Sequence, residues 1–540
     1  MRQLVFGLVL VCSASAQMVP VADRVAKQNA LFEEYYQAGL KNFPERATAY
    51  GDYRYNSQLA QVSLEEIARQ HAEADDFLAR LKAIPIDGMS DKDLLSHRIL
   101  EKQLERADVN YALKNYEMPV NQQNGVHTQL ADLPNAMPFD SVPHYQDYIS
   151  RLHQIPRVLE QTSEVMRQGE KDRLMPPKIV LDKLPGQCDG IIAANPFLEP
   201  TKKFPAEFSD ANKKRLTDEI TKAINEDVFP AYKKFADFLR TDYDPKGRTE
   251  LAIESLADGK RRYAEAVKTM TTINVPPAEV HEIGLKEVAR VTAEMTRLAQ
   301  SQGYKDLASF REAINNDPKW KPTSEQQILD DYKKYLQQME PKLPELFGLL
   351  PKSPVTVEPI PDFAKAAATH YVQGTPDGKR PGRVVVAVSN PTKRTMIDDE
   401  AVAYHEGVPG HHLQISIAQT LEGLPKFRLH GFFTAYAEGW ALYSEQLGKE
   451  IGFYKNPVSD YGRLNSEMLR AVRLVVDTGI HDKNWSREKV IDYMHANDIN
   501  DAVAQPEADR YIAWPGQALA YKMGQLAILK LRDEAKTQLG

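Results

Sequence analysis

Long hydrophobic runs are missing from this sequence. The apolar stretch nearest the N-terminus covers only residues 4–11, far short of the roughly 20 residues that a membrane-spanning helix needs. It follows Arg2 and precedes Ala14-Ser15-Ala16, an order typical of a secretory signal peptide. We predict that residues 1–16 are removed after Ala16. The mature protein is then expected to be exported, periplasmic or secreted, with no membrane span.

Cysteine is also scarce. The 540 residues contain only Cys12 and Cys188, and Cys12 would leave with the signal peptide. No disulfide could then form within the mature chain, so the fold must take its stability from a hydrophobic core. Cys188 lies in a turn-like stretch between Gly186 and Gly190 with no pattern typical of a nucleophile, and we expect it to be structural.

Neither sign of charge dominates. Lys and Arg number 68 against 75 Asp and Glu, a net charge of −7 with no block of like charge, so no nucleic-acid partner is predicted. Internal repeats and Gly/Ser-rich linkers are absent as well. Because the chain is longer than the roughly 250–300 residues at which a single core stops growing, we predict two lobes, residues 17–270 and 271–540.

Helical periodicity is the main pattern that the sequence does contain. Apolar residues recur at helical spacing in several segments, and Pro-rich turns separate them, as at 350–361. The predicted helices include 64–81, 148–166, 216–239 and a segment beginning at Pro277. Pro156 and Pro230 fall inside two of these segments and are expected to kink or split them. One strand stands out at 383–388, so we predict a mainly α fold with a small β-sheet.

The most chemically informative segment is 405–412, which reads His-Glu-Gly-Val-Pro-Gly-His-His. Zinc peptidases commonly place two histidine ligands at i and i+4 of a helix, with a general-base Glu after the first. Here His405 and Glu406 fit that pattern, but position i+4 is Pro409. The alternative interpretation is a surface or capping cluster without a metal.

Both later histidines are out of reach if this helix is unbroken. His411 would be rotated by about 120° from His405, and His412 would lie about 10.5 Å along the axis. Pro409 and Gly410 can break the helix and bring His411 back to where i+4 would have been.

A third ligand candidate follows downstream. Glu438 and Glu445 lie seven residues apart on one face of an apolar helix, where a buried carboxylate needs a partner. Solvent exposure is the alternative for both, and we expect it more for Glu445 than for Glu438. Two histidines and Glu438 would leave an open fourth position, as in catalytic zinc sites.

These motifs together resemble the bacterial DUF885 family, which is placed among the gluzincin-type zinc metallopeptidases. The matching segments are 124–127, 405–414, 438–443, 473–481, 510–511 and 515–522. The resemblance implies a two-lobed helical metallopeptidase-like fold, with one zinc ion per chain in a cleft flanked by the small sheet. Residues 271–540 would be the catalytic lobe.

The resemblance also implies roles for individual residues. The metal ligands would be His405, His411 and Glu438, with His411 favoured over His412, and Glu406 would be the general base. Tyr511 and His481 are candidates for the donor that stabilises the oxyanion, with Tyr521 behind them. Arg510 could bind the C-terminal carboxylate of a peptide, with Arg470 and Arg473 as further candidates, and Tyr521 could also contact substrate.

The predicted function is therefore an exported zinc-dependent peptidase. Its substrates are expected to be short peptides, because the first lobe would cover the active site on the second and keep folded proteins out. Strand 383–388 could bind an extended peptide by β-augmentation, or it could be an internal strand. Two alternatives remain open: a zinc-binding exported protein that captures peptides without catalysis, and a zinc amidohydrolase acting on a non-peptide amide. The sequence carries no signal for an oligomeric state.

Overall fold

A computed structural model describes residues 19–360 and 368–540. The predicted signal peptide, residues 1–16, lies outside the described residues. The chain is mainly helical, as predicted, with one small sheet. The α-helices within the described residues are α1 (Val21–Asn42), α2 (Pro44–Ala49), α3 (Leu64–Lys82), α4 (Asp91–Ala112), α5 (Val126–Ala131), α6 (Leu133–Ala136), α7 (Val142–Leu152), α8 (Ile155–Lys171), α9 (Lys178–Leu181), α10 (Leu184–Ala194), α11 (Asp210–Ala223), α12 (Phe229–Phe238), α13 (Gly259–Thr271), α14 (Pro277–Ser301), α15 (Leu307–Asn316), α16 (Glu325–Met339), α17 (Leu343–Leu346), α18 (Asp399–Glu406), α19 (His411–Thr420), α20 (Lys426–Leu429), α21 (Thr434–Glu450), α22 (Pro457–His481), α23 (Arg487–Ala496), α24 (Asp501–Ala513) and α25 (Ala520–Leu539).

The predicted helices form where periodicity and capping agree. The side chain of Ser63 caps α3 by accepting a hydrogen bond from the Glu66 backbone N–H. Pro156 lies in the first turn of α8, so the predicted segment 148–166 is split between α7 and α8. Pro230 begins α12 in the same way, but a π-helical turn joins α12 to α11, so the chain there is not broken.

Cys188 lies in a helix and not in a turn. Pro185 occupies the first turn of α10, which runs through both neighbouring glycines. The thiol is fully buried, and burial raises its pKa to about 12. A thiol that resists ionisation is a poor nucleophile, so its environment is that of a structural residue.

The sheet has three strands, β1 (Val355–Pro359), β2 (His370–Val372) and β3 (Gly382–Val386), in the order β1-β3-β2. β3 pairs in parallel with β1 and antiparallel with β2. Because both sides of β3 are occupied, the idea that strand 383–388 binds a peptide by β-augmentation is wrong. The alternative, an internal strand, is confirmed.

The buried cores separate along the chain. One large core is built from residues between Leu59 and Tyr243, and two others are built mostly from residues after 290. In the second half, α22 is largely buried and packs against α14, α18, α21, α23, α24 and α25. The lobe boundary near residue 270 stays a prediction. Within the described ranges, no helix is both long and apolar enough to cross a bilayer.

Candidate metal centre

The helix that carries His405 is interrupted where the sequence predicts a break. α18 ends at Glu406 and α19 begins at His411, with a tight turn between them. The backbone N–H of Gly410 donates to the carbonyl of Tyr404 at 3.0 Å. A Cβ on Gly410 would lie 1.9 Å from the carbonyl oxygen of His405, so only glycine fits this turn.

The turn brings three potential ligands together. The Nε2 atoms of His405 and His411 lie 3.6 and 3.3 Å from Oε2 of Glu438, and all three residues offer donor atoms within 4.8 Å of one another. Zinc bonds of about 2.0–2.1 Å in tetrahedral geometry place neighbouring donors roughly 3.3–3.4 Å apart. The donor types and spacing therefore fit a zinc ion.

Two close helices position Glu438. α21, which carries it, packs directly on α25, and the backbones touch at Gly439 and Gly524. A Cβ on Gly439 would lie 2.4 Å from the carbonyl carbon of Gly524. Larger residues would push the helices apart and move Glu438 away from the histidines.

His412 points away from this group. Its Nε2 donates to the carbonyl of Ser353 at 3.0 Å, and its Nδ1 accepts from the hydroxyl of Tyr371 at 3.1 Å. Burial lowers its pKa to about 4, which keeps the ring neutral. The structure thus places His411, and not His412, beside His405 and Glu438.

Glu445 supports His405 from behind. Its Oε1 lies 2.8 Å from Nδ1 of His405, and its side chain is 2% exposed, against 14% for Glu438. The expected order of exposure is therefore reversed. A carboxylate that holds the second nitrogen of a histidine fixes the ring orientation and makes the ligand more basic. The sequence signal was the seven-residue spacing that puts both carboxylates on one helix face.

Negative charge is concentrated around the two imidazoles. Burial lowers the pKa of His405, but hydrogen bonds to Glu438 and Glu445 outweigh it and raise the pKa to about 9. Burial raises the pKa of Glu438, yet His405 and His411 hold it well below its ordinary value. Glu406 adds a third carboxylate, with Oε2 4.0 Å from Nε2 of His411. Such a field favours a bound cation.

Tyr521 is an aromatic residue that lies close to one of the ligand candidates, His405. Its ring is nearly parallel to that of His405, with 6.3 Å between ring centroids. The guanidinium of Arg473 lies 4.5 Å from the centre of the Tyr521 ring, and Nη2 of Arg510 donates to the Tyr521 hydroxyl at 3.2 Å. Arg470 is also near, at 5.8 Å from the ring centre.

Tyr511 is further from the ligand candidates than Tyr521, because it contacts Arg473, which lies against the Tyr521 ring. Its hydroxyl donates to Glu507 and accepts from Nε of Arg473 at 3.1 Å. Burial raises the pKa of Glu507, but Arg473 and Arg510 outweigh it and lower the pKa to about 2. The phenol is therefore engaged in a largely buried ion-pair network, in which the Arg473 and Glu507 side chains are 6% and 16% exposed. Its hydroxyl is bonded within that network and not to the three ligand candidates.

His481 is not brought to this group either. Its Nε2 donates to the carbonyl of Tyr511 at 2.9 Å, and its Nδ1 accepts from the backbone N–H of Ile253 at 3.1 Å. The ring is fully buried, and burial lowers its pKa to about 3. With both nitrogens committed to backbone groups, His481 has no free donor for an oxyanion.

Comparison with known proteins identifies relatives along most of the chain. A family profile described as "Bacterial protein of unknown function (DUF885)" matches residues 44–540. A crystal structure from Colwellia psychrerythraea, described as a "putative lipoprotein", has a TM-score of 0.89 and 28% identity, covering 96% of this chain and 94% of that chain. No curated protein matches.

A second solved structure extends the fold likeness. It is described as a "putative lipoprotein of unknown function" from Shewanella oneidensis, with a TM-score of 0.68, 16% identity and coverage of 96% of this chain and 94% of that chain. At that identity the likeness shows the fold alone. The family profile covers most of the sequence, including every residue of the candidate metal centre. The chain therefore belongs to the DUF885 family.

Proposed function

We propose that this protein is an exported zinc-dependent peptidase of the gluzincin type that acts on short peptides. The observation that carries the proposal is the convergence of His405, His411 and Glu438 beside the carboxylate of Glu406. Two histidines and one carboxylate leave a fourth position open, which distinguishes catalytic from structural zinc sites. A purely structural site has no need of a base next to its first ligand.

Each residue then has a chemical task. Zinc bound by His405, His411 and Glu438 would polarise the scissile carbonyl and favour ionisation of the attacking water. Glu406 accepts the proton from that water and transfers it to the leaving amine nitrogen. Glu445 keeps the His405 ring in the orientation that ligation requires.

Tyr521 is the best placed oxyanion donor among the three candidates. Since Arg510 donates to the phenol oxygen, the O–H proton of Tyr521 remains available for the developing oxyanion. Tyr511 and His481 have their polar atoms engaged elsewhere. Their role is more simply that of support, because Tyr511 and Glu507 together hold Arg473 beneath the Tyr521 ring.

The arginines around Tyr521 favour an anionic part of the substrate. Arg473 and Arg510 share the single carboxylate of Glu507, and Arg470 forms no ion pair within the described ranges. This surplus of positive charge next to the ligands suits the C-terminal carboxylate of a peptide. We therefore infer that the enzyme removes residues from the C-terminus of its substrates.

Export is supported from two directions. Residues 1–16 have the pattern of a signal peptide, and the relative from Colwellia psychrerythraea is described as a "putative lipoprotein". A two-lobed fold with the zinc in a cleft between the lobes would restrict access to flexible chains. The substrates would then be peptides that reach the cell envelope.

A peptide digest tests the proposal. Peptides of increasing length, each with a free or an amidated C-terminus, are incubated with the zinc-loaded protein, followed by a folded protein. We expect cleavage that declines with length and is weakened at least about tenfold by amidation, the loss expected for one charge-assisted hydrogen bond. Equal cleavage of free and amidated peptides would remove the carboxylate assignment, and efficient cleavage of the folded protein would remove the cleft.

The alternatives give different results in the same assay. Zinc binding with no turnover of any peptide, but with measurable peptide affinity, indicates a capture protein. Turnover of non-peptide amides alone indicates an amidohydrolase. A protein that binds no zinc would contradict all three.

A further inference from the structure

A cavity of about 700 Å³ lies among the first four helices. Its walls come from α1 to α4 and from the segment 427–432 after the start of α20. None of its lining residues belongs to the candidate metal centre. The volume is within the roughly 300–1,000 Å³ typical of small-molecule sites.

Aromatic rings form much of the wall. On the α3–α4 side, His71 stacks on Tyr111 with 3.7 Å between ring centroids, and Tyr116 continues the stack at 5.4 Å. On the α1 side, His430 stacks on Tyr50 at 3.7 Å. Pre-stacked rings are rigid surfaces, and a flat ligand can add to them at little cost in conformational entropy.

The charged groups of the lining do not balance. Glu73 is the one acidic side chain of the lining, and it is already bonded to Asn42 at 2.6 Å and to Arg69 at 3.4 Å. Arg46 and Arg106 also line the cavity, and neither forms an ion pair or a side-chain hydrogen bond in the part of the chain that the structure describes. The cavity therefore offers two guanidinium groups that have no hydrogen-bond or ion-pair partner among the described residues.

Arg106 and Arg46 line the cavity and are both exposed to solvent. The protein around Arg106 still removes part of the hydration of its guanidinium, which lowers its pKa, with no nearby carboxylate to offset this. A guanidinium in this position gains from an anion, because charge-assisted hydrogen bonds replace the lost hydration. Arg46 lies 4.5 Å from the centre of the Phe43 ring and is held at the same wall.

A neutral histidine completes the site. Burial lowers the pKa of His430 to about 4, so this ring carries no charge near neutral pH. Its Nδ1 is buried without a hydrogen-bond partner among the described residues. The aromatic walls together with the two guanidinium groups favour a ligand that has both a flat ring and a negative charge.

We propose that this cavity binds a small planar aromatic molecule that carries one anionic group, such as an aromatic carboxylate. The ring lies against the stacked aromatic side chains, and the carboxylate accepts hydrogen bonds from Arg106 and Arg46. This binding is independent of the metal centre and of peptide hydrolysis.

Isothermal titration of the full-length mature protein tests the proposal with three probes. 2-Naphthoate carries both the ring and the charge, 2-naphthamide carries the ring alone, and cyclohexanecarboxylate carries the charge alone. We expect 2-naphthoate to bind at least about tenfold more tightly than either of the others, since each loses one class of contact. Arg106→Gln should weaken 2-naphthoate binding at least about tenfold, and Arg46→Gln should weaken it to a smaller extent.

Arg98→Gln is the matched control, because Arg98 is an exposed arginine on the same helix, α4, that does not line the cavity. It should leave 2-naphthoate binding within twofold. Thermal unfolding of each variant shows whether the fold is kept. Two outcomes overturn the proposal: equal binding of 2-naphthoate and 2-naphthamide, or equal loss in Arg98→Gln and Arg106→Gln. A loss of binding on chelation of zinc or in Arg510→Gln would place the probe at the metal centre, which overturns it as well.

Discussion

Within residues 19–360 and 368–540, two groups of side chains have the spacing of metal ligands, and they differ in burial and in surroundings. His405, His411 and Glu438 form one group, and His71, Asp75 and Asp108 form the other. In both, one donor atom from each residue lies within 4.8 Å of the others. The first group is largely buried, whereas Asp75 and Asp108 are exposed on the surface of α3 and α4.

Burial determines how much a carboxylate in such a group gains from binding a metal ion. Exposed carboxylates keep their water, so Asp75 gains little from a metal, and it already has His71 at 3.3 Å. Buried carboxylates such as Glu438 lose hydration and must find a partner. Among the described residues, only the first group has a carboxylate bonded to the second nitrogen of a histidine, Glu445, and a further carboxylate close to its ligands, Glu406. Ligand spacing alone therefore does not identify a metal site.

The largest expected effect is on zinc content. We expect His411→Ala to lose essentially all bound zinc, since two remaining ligands hold the ion poorly. His412→Ala should keep close to the wild-type amount, because His412 is bonded to Ser353 and Tyr371. Metal analysis of both purified variants measures this. Loss of zinc in His412→Ala with retention in His411→Ala would reverse the ligand assignment.

The next effect separates turnover from metal binding. Glu406→Gln keeps the shape of the side chain but cannot accept a proton as a carboxylate does, so we expect a loss of about 10²-fold or more in kcat. Zinc content should stay at the wild-type level. Steady-state kinetics on a cleaved peptide, with metal analysis of the same sample, give both numbers. A variant that keeps wild-type rates would exclude Glu406 as the base.

A smaller effect is expected from the residue behind the site. Glu445→Gln retains the volume of the side chain but loses the charge that orients His405. Changes of this kind typically reduce metal affinity or activity by about 10–100-fold. Competition with a chelator of known affinity measures the change. Glu450→Gln, on the exposed end of the same helix, is the matched control and should leave the affinity unchanged.

The helix break shows what sequence reasoning can achieve. Helical geometry is fixed, so a helix break was predicted on the condition that His405 and a later histidine bind one metal, and Pro409 and Gly410 supplied the means for it. The role of Glu445 was not predictable in the same way. Its burial depends on packing against distant parts of the chain, which local periodicity does not contain.

The β-sheet is a second case in which the local sequence pattern predicted only part of the structure. Strand 383–388 was predicted from its valines, but β1 lies within 350–361, a segment predicted to be Pro-rich turns. Proline is tolerated there because β1 is an edge strand of the sheet. The same limit applies to His481 and Tyr511 as candidate oxyanion donors. The sequence does not show that their polar atoms are already hydrogen-bonded to other groups, and the tertiary structure does.

The smallest expected effect concerns the exposed group. Asp108→Asn removes one potential ligand on the surface of α4, where a substitution usually changes the free energy of unfolding by less than about 0.5 kcal/mol. We expect zinc content, peptide turnover and thermal unfolding to match the wild type. Metal analysis at a saturating zinc concentration is the sharpest measurement, because it counts ions per chain. A fall in zinc stoichiometry by one ion in Asp108→Asn, with turnover retained, would show that the exposed group also binds zinc. Burial would then not be the property that distinguishes a group that binds metal from one that does not.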